Sequence, residues 1–416
     1  MLSEVPEGWS LQRFGEIASV KNGFAFKSKD FVDSQSGVAA VVRMSDLKKG
    51  TVEASSAKKI PLVCLEGLER FRLEAGDFVF GMSGSLSNYA VVPASSVPLY
   101  LNQRVGKLEA KSTDAVFLRY LYTSESFMRL VEKSASGNAQ LNISSKQIES
   151  FEVFVPPANE QHRIAEILSS VDASIQATQA VIEQAERVKR GLMEELLTGG
   201  LGSEAIERGE VPEGYEAKKL GDLLEGIDGG VSVNSQSEPA SLEEKGILKT
   251  SCVSNSFFDA SENKVVPDEK EIQRLREPVQ AETIIFSRMN TPKLVGANAF
   301  VPVSHENLFL PDRLWALKPV SKVKSRWLGF YMSYLFISGV FEALGTGTSG
   351  SMKNISKSKL KDVSIVVPSE VEQARVAEIL SGVDDFVAKQ KAIVEQYALT
   401  KRGLMDDLLT GKVRTV

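Results

Sequence analysis

Cysteine and histidine are almost absent from this 416-residue chain, with two of each. Cys64 and Cys252 lie far apart without CxxC spacing, and His162 and His305 are isolated. That excludes a disulfide framework and leaves no ligand set for zinc. No apolar run approaches the roughly 20 residues of a membrane-spanning helix, and no basic-then-apolar leader is seen at the N-terminus. A cytoplasmic location is expected. Positive charge is also short: 49 Lys and Arg stand against 54 Asp and Glu, a net −5, whereas neutralising phosphates calls for a basic face. The deficit is local. Residues 156–210 hold five basic and ten acidic side chains. The flanking stretches are near neutral and carry basic clusters at Lys21, Lys27 and Lys29, at Lys322, Lys324 and Arg326, and at Lys353, Lys357, Lys359 and Lys361. Each cluster reads equally as a solvated face or as a binding surface.

The signatures of catalysis are missing as well. There is no phosphate-binding GxxxxGK[ST], and FGMSGS at 80–85 misses the GxSxG elbow. GTGTSG at 345–350 satisfies GxGxxG but follows a helical stretch and leads into a strand, the reverse of a dinucleotide-binding turn. Gln161 and His162 read as a helix cap or a solvent-facing pair. No catalytic, cofactor-binding or metal-binding residue is assigned, and the chain is expected not to be an enzyme.

What the sequence does contain is itself, twice. VPEGWSLQRFGEI at 5–17 returns as VPEGYEAKKLGDL at 211–223, an offset of 206. From Asn142 to Gly199 the chain recurs from Asn354 to Gly411 at a constant offset of 212 without a gap, with about half the positions identical. His162 has Ala374 as its counterpart. Residues 18–135 and 224–347 agree only in pattern. The length suits two or three domains. The repeat divides it into 1–155, a first variable domain; 156–210, a helix and linker; 211–367, a second variable domain; and 368–416, a second helix.

Within the constant segments, Ile164, Leu168, Val171, Ile175, Thr178, Ile182, Ala185, Lys189, Leu192 and Leu196 alternate in steps of four and three. Val376, Leu380, Val383, Val387, Gln390, Val394, Tyr397, Lys401, Leu404 and Leu408 repeat the phase. This is a heptad seam, with prolines 156, 157 and 368 before each start and Gly199 and Gly411 after each end. A helix of about 39 residues spans ~58 Å, so two of them are expected to pack on each other and hide their stripes. Thr178, Gln390, Lys189 and Lys401 are polar seam positions that fix register or mark the entry of other subunits.

The variable centres read as mixed α/β. VAAVVRM, DFVFGM, NYAVVP, ETIIFSR and NAFVPV are short strands, separated by turn clusters. Each centre ends in an aromatic-rich helical stretch and a Gly/Ser/Asn loop. Loops with Asn, Gln, Arg and Lys suit base edges, and they also describe ordinary surface loops.

Together these pieces resemble the specificity (S) subunit of type I restriction–modification systems. The resemblance rests on VPEGW, GFAFKSKDF (23–31), LNQRV (101–105), NIS…PP…EQ.RIAEIL..VD, SRMNTPKLVGA (287–297), FLPDRLWAL (309–317) and RGLMDDLLTGKVR. It implies α/β (mixed α+β) recognition domains in tandem duplicate, separated by two long antiparallel coiled-coil helices in a pseudo-twofold arrangement. It also implies a non-catalytic subunit that reads an asymmetric, bipartite target in double-stranded DNA. Two modification subunits, which are S-adenosylmethionine-dependent adenine methyltransferases, would dock on the helices. Restriction subunits carrying ATP, Mg and nuclease chemistry would join them, with no cofactor on this chain. The alternatives are the recognition subunit of a methylation-only or type IIB-like complex, or a helical scaffold without sequence reading.

By family position the DNA-contact candidates are Lys21, Asn22, Phe26, Lys27, Ser28, Arg43, Ser83, Asn102, Gln103 and Arg104 in the first domain. In the second they are Lys249, Arg288, Asn290, Thr291, Lys293, Arg313, Lys353 and Asn354. Arg104 and Arg313 each precede an apolar strand and read equally as structural, while Asn142 and Asn354 read as turn formers. Ile164, Leu168, Val171, Ile175, Val376, Leu380, Val383 and Val387 are the expected partner-binding positions of the helices.

Overall fold

Short β-branched and aromatic runs in the variable centres form strands, and the central ones, VAAVV, FVFG and IIFS, are almost wholly apolar because both of their faces are buried. The computed structural model describes residues 5–33, 38–48, 50–135, 141–254, 256–347 and 351–415. Contacts divide the chain into two compact units, residues 1–178 with 393–416, and residues 179–392. The two long helices, Ala158–Thr198 and Glu370–Leu409, each contribute to both units.

In the first unit, Ala18–Asn22, Val105–Ala110, Phe78–Gly81 and Tyr89–Val91 lie side by side as antiparallel neighbours. Gly50–Val52 and Leu47–Lys48 extend that sheet to six strands. A second sheet has the order Lys58–Pro61, Val38–Val42, Leu99–Leu101, Arg72–Leu73, and its central pair is parallel. The helices Ala115–Thr123 and Glu125–Ala135 supply Phe117, Tyr120, Tyr122 and Phe127 to the main core. Asp114 starts the first of them by accepting from the amides of Val116 and Phe117, both at 2.8 Å.

The second unit repeats this plan. Leu224–Gly229, Leu314–Pro319, Ile284–Ser287 and Asn298–Phe300 form an antiparallel sheet in the corresponding order. Asn263–Val265, Gly246–Leu248, His305–Phe309 and Pro278–Val279 form the other, again with a parallel central pair. The weak pattern agreement between the centres therefore conceals one strand order. Each unit is also clasped by an antiparallel pair that joins the start of the repeat to the strand before a long helix. These pairs are Ser10–Arg13 with Glu152–Val155, and Glu216–Lys219 with Ser364–Val367.

The long helices run antiparallel to one another within each unit, as shown by Asp172 meeting Lys401 in the first and by Glu186 and Lys189 meeting Lys391 and Asp384 in the second. Lys189–Asp384 and Asp172–Lys401 are the same pair seen from the two copies, since both residues of each are related by the offset of 212. The polar seam lysines thus fix register. Thr178 instead hydrogen-bonds its own helix, donating to the Ser174 carbonyl at 2.8 Å.

Burial along the seam divides the expected partner-binding positions into two groups. Ile164 and Leu168 are fully buried with Leu408 and Leu409 in the first unit's core, and Val376 and Leu380 with Met193 and Leu197 in the second's. Val387 is buried too, while Val171, Ile175 and Val383 are half-buried. Ile164, Leu168, Val376, Leu380 and Val387 thus hold the units together, while half-buried Val383 also lines a shallow apolar groove on the helices. Gln161 is corrected as well: it is buried, donates to the Pro156 carbonyl at 2.9 Å and accepts from the Thr113 hydroxyl and the Asp114 amide. Its copy Gln373 bonds the Pro368 carbonyl and the Lys324 amide in the same way.

A last piece of framework went unread in the sequence. Glu160, 1% exposed, accepts Trp9 Nε1 at 3.0 Å and both Arg414 Nε and Nη2 at 2.8 Å. The Arg414 contact, foremost, holds the Glu160 carboxyl below its ordinary range against the opposing effect of burial.

Candidate nucleic-acid interface

The constant Asn142 and Asn354 organise the loop that follows the third strand of each main sheet. In the second unit Met289–Asn290 pairs with Lys353–Asn354 as a short antiparallel ribbon, Asn290 opposite Lys353. The ribbon is tied down at Arg288, whose amide donates to the Arg313 carbonyl at 3.1 Å and whose carbonyl accepts from the Ile355 amide at 2.9 Å. In the first unit Met82 makes the same two bonds, with Arg104 and Ile143, and Ser83 bridges Asn142. So Asn142 and Asn354 are ladder residues and not the turn formers expected from sequence.

Several candidates are already committed to the framework. Arg288 Nε donates to the Asp312 carbonyl at 2.7 Å and Nη1 to Asn354 Oδ1 at 3.2 Å. Arg43 grips the buried Asp46 carboxylate through Nε and Nη2, both at 3.3 Å. Phe26 packs edge-on against Phe24, 5.1 Å between centroids, beside a small core containing Ile60 and Tyr100. In the chain alone these three serve as structural supports, each committing part of its donors or one ring face to the framework while staying partly exposed. Arg326 pairs with Asp384, and Lys357 and Lys359 donate to the carbonyls of Ile227 and Leu344, which removes them from the loose basic clusters. Asn102 accepts from the Arg104 amide, and Asn22 reaches Ser145 at 3.5 Å. Lys21 and Lys249 face Glu109 and Glu262 at 3.6 and 3.7 Å.

Among the described residues, the side chains of Lys27, Ser28, Ser83, Gln103, Arg104, Thr291, Lys293, Arg313 and Lys353 make no hydrogen bond or ion pair. Lys27, Ser28, Gln103, Arg104, Thr291, Lys293 and Arg313 are exposed. Backbone ties bring Arg313 and Lys353 to the ribbon of the second unit. Arg104 stands at the matching bridge of the first, with Gln103 tied through its amide to the Phe24 carbonyl at 2.9 Å. Exposed donors on a backbone-locked ribbon can enter a groove and meet base edges or phosphates.

The model of the type I restriction modification DNA specificity domain matches residues 6–187 and again 212–396. The chain belongs to this family of DNA specificity proteins. It is a type I sequence-specificity subunit built from two such domains. This specificity subunit is 24% identical to the putative type I restriction enzyme MjaX specificity subunit of Methanocaldococcus jannaschii, over 99% of this chain and 95% of that protein. It is 23% identical to the EcoKI specificity subunit of Escherichia coli K12, over 94% and 85%. The S subunit of M. genitalium shares the fold, with TM-score 0.54 and 14% identity over 98% of both chains. A chain solved in a study of complex assembly by a type I R-M system does so with TM-score 0.53 and 18% identity, over 99% of this chain and 100% of that one. The duplicated frame, the mixed α/β units and the two long helices of the specificity subunit agree with the tandem expected from sequence. Among the described residues no helix is long and apolar enough to cross a membrane.

Proposed function

We propose that this specificity subunit reads an asymmetric DNA target in two parts, one per recognition domain, and does no chemistry itself. The observation that carries this is the ribbon: one backbone device recurs in both units with different side chains. Asn290 and Lys353 stand in the second unit where Gly84 and Leu141 stand in the first. Two readers on one frame yield two unlike half-targets. The segments 1–155 and 211–367 are the recognition domains, with 156–210 and 368–416 as the helical spacer. Half-sites read from one side lie about one helical turn, ~34 Å, apart, a distance helices of this length can bracket.

The helices also dock two modification subunits, which bind S-adenosylmethionine and methylate adenine, and restriction subunits with ATP, Mg and nuclease chemistry join that complex in the cytoplasm. A shallow groove in the second unit supports this role. It is lined by Val181, Val188, Ile379, Gly382 and Phe386, and four of these are exposed apolar side chains of a kind that a monomer keeps scattered. Partner subunits then supply much of the phosphate contact, which reconciles the net charge of −5 with a DNA partner.

Methylation mapping in a host carrying this chain with its modification subunit tests the proposal. Modified adenines within one split, asymmetric motif are expected, and a continuous palindrome overturns it. Exchange of residues 18–141 for those of another specificity subunit should change one half of the motif only.

A further inference from the structure

We infer that Asn290 is a base-reading residue of the second unit and that it recognises an adenine, with Lys353 anchoring the neighbouring backbone. The inference rests on the proposal that this unit reads one half-target.

It follows from counting the hydrogen-bonding capacity of one amide. Asn290 Oδ1 accepts from the Thr291 amide at 2.8 Å, and Nδ2 donates to Ser287 Oγ at 3.2 Å. A backbone N–H can only donate, so the atom facing Thr291 must be the oxygen, and the orientation of the amide is fixed. Ser287 itself is fully buried, which holds the other end. An asparagine amide has two N–H donors and two acceptor lone pairs. One of each is used, so one donor and one acceptor remain on a plane that two bonds already lock. Adenine presents the complementary pair on its major-groove edge, the N7 acceptor beside the N6 donor. Guanine presents two acceptors there, so a locked amide with one donor and one acceptor rejects it. Because the amide is oriented before DNA arrives, little side-chain freedom is lost on contact.

The surroundings support the assignment. Lys353 lies opposite Asn290 on the ribbon without an acidic partner, and Thr291 and Lys293 follow on the same loop. The loop is closed at its base: the Gly296 amide bonds the Ser287 carbonyl and the Ser287 amide bonds the Ala297 carbonyl, both at 2.8 Å. Arg288 is a positioning residue, since its guanidinium secures Asp312 and Asn354 beneath the ribbon. In the first unit Gly84, at φ of +76°, donates its amide to the Leu141 carbonyl at 2.7 Å and has no side chain to read with. Asn290 therefore governs one half of the target only.

The test uses the complex of this chain with its modification subunits and duplexes carrying the mapped motif, each with one base pair replaced. In the unaltered complex, replacing one A·T pair in the half read by the second unit should cost roughly ten- to a hundredfold in affinity. Asn290→Ala should erase that penalty alone and leave every other position as selective as before. Asn290→Asp, which keeps the Thr291 bond but replaces the donor by an acceptor, should move the preference at the same position toward cytosine, whose exposed group is a donor. Lys353→Gln should weaken all duplexes alike and reduce the slope of log affinity against log salt by about 0.9. The inference is overturned if both Asn290 variants discriminate like the parent at every position, or if the relaxed position is not an A·T pair. Absence of any sequence preference in the unaltered complex would instead overturn the proposed function.

Discussion

Leu168 and Leu380 occupy the same place in the two copies, related by the offset of 212, and both are fully buried, each in the core of its own unit. Truncating either to alanine removes the transfer free energy of the lost methyl and methylene groups, about 2 kcal/mol. It also leaves a cavity in a core rich in large rigid side chains, Phe117 and Tyr120 among them in one unit and Trp327 and Tyr331 in the other. Aromatic walls collapse poorly, so the total should fall near 3–4 kcal/mol, inside the ~2.7–5 kcal/mol range of such truncations. For units of this size each kcal/mol lowers the melting temperature by roughly 2–4 °C, so Leu380→Ala should melt about 6–16 °C below the parent. Scanning calorimetry measures the shift, and amide exchange read by mass spectrometry locates it. Exchange should rise in residues 179–392 for Leu380→Ala, and in 1–178 with 393–416 for Leu168→Ala. A loss under about 1 kcal/mol, or exchange rising equally in both units for either variant, refutes the reasoning that each seam leucine serves the core of its own unit.

Four other outcomes are expected. Lys401→Asp should lower stability by about 0.2–1 kcal/mol, as expected for a partly exposed pair, and Asp172→Lys introduced with it should restore the loss in a urea titration. Glu160 has a depressed pKa, so the stability it contributes is fully present above the ordinary carboxylate value near 4.5 and is lost as pH falls through the lower folded value. Melting curves of Glu160→Gln should accordingly lie below the parent at neutral pH and converge with it in acid. Gly199→Ala and Gly411→Ala should each destabilise, because φ is +60° and +73° and a Cβ would stand 2.6 Å from Pro212 and Pro6. Gly191→Ala and Gly403→Ala, with open space around the added carbon inside the long helices, should instead stabilise by roughly 0.5–1 kcal/mol each in the same titration.

The frame was legible because it is written twice. The heptad phase, the glycine ends and the seam lysines all recur at one offset, and the strands VAAVV, FVFG, YAV, IIFS and NAF stand where short β-branched and aromatic runs between turn clusters put them. The order of those strands was not legible. Val38–Val42 pairs in parallel with Leu99–Leu101, about 60 residues on, and no local pattern names a partner at that distance. Nor did periodicity distinguish a seam residue facing only the other helix from one entering a domain core, as Ile164 and Val376 do. For the interface, residue type identified donors but not their availability. Arg288 and Arg43 have guanidinium groups turned into the framework by contacts with Asp312, Asn354 and Asp46, whereas Asn290 keeps one donor and one acceptor of its amide free.

The clasp of Trp9, Glu160 and Arg414 has a bearing on vectorial synthesis. The second unit is one uninterrupted stretch, while the first is discontinuous and needs residues 393–416 to cover Ile164 and Leu168 and to neutralise Glu160. On the ribosome the earliest residues to emerge therefore wait longest for their core, and the later unit is the first that can close. That reverses the usual N-terminal-first order of domain folding and leaves the apolar start of the first long helix as the natural client surface for a chaperone during translation.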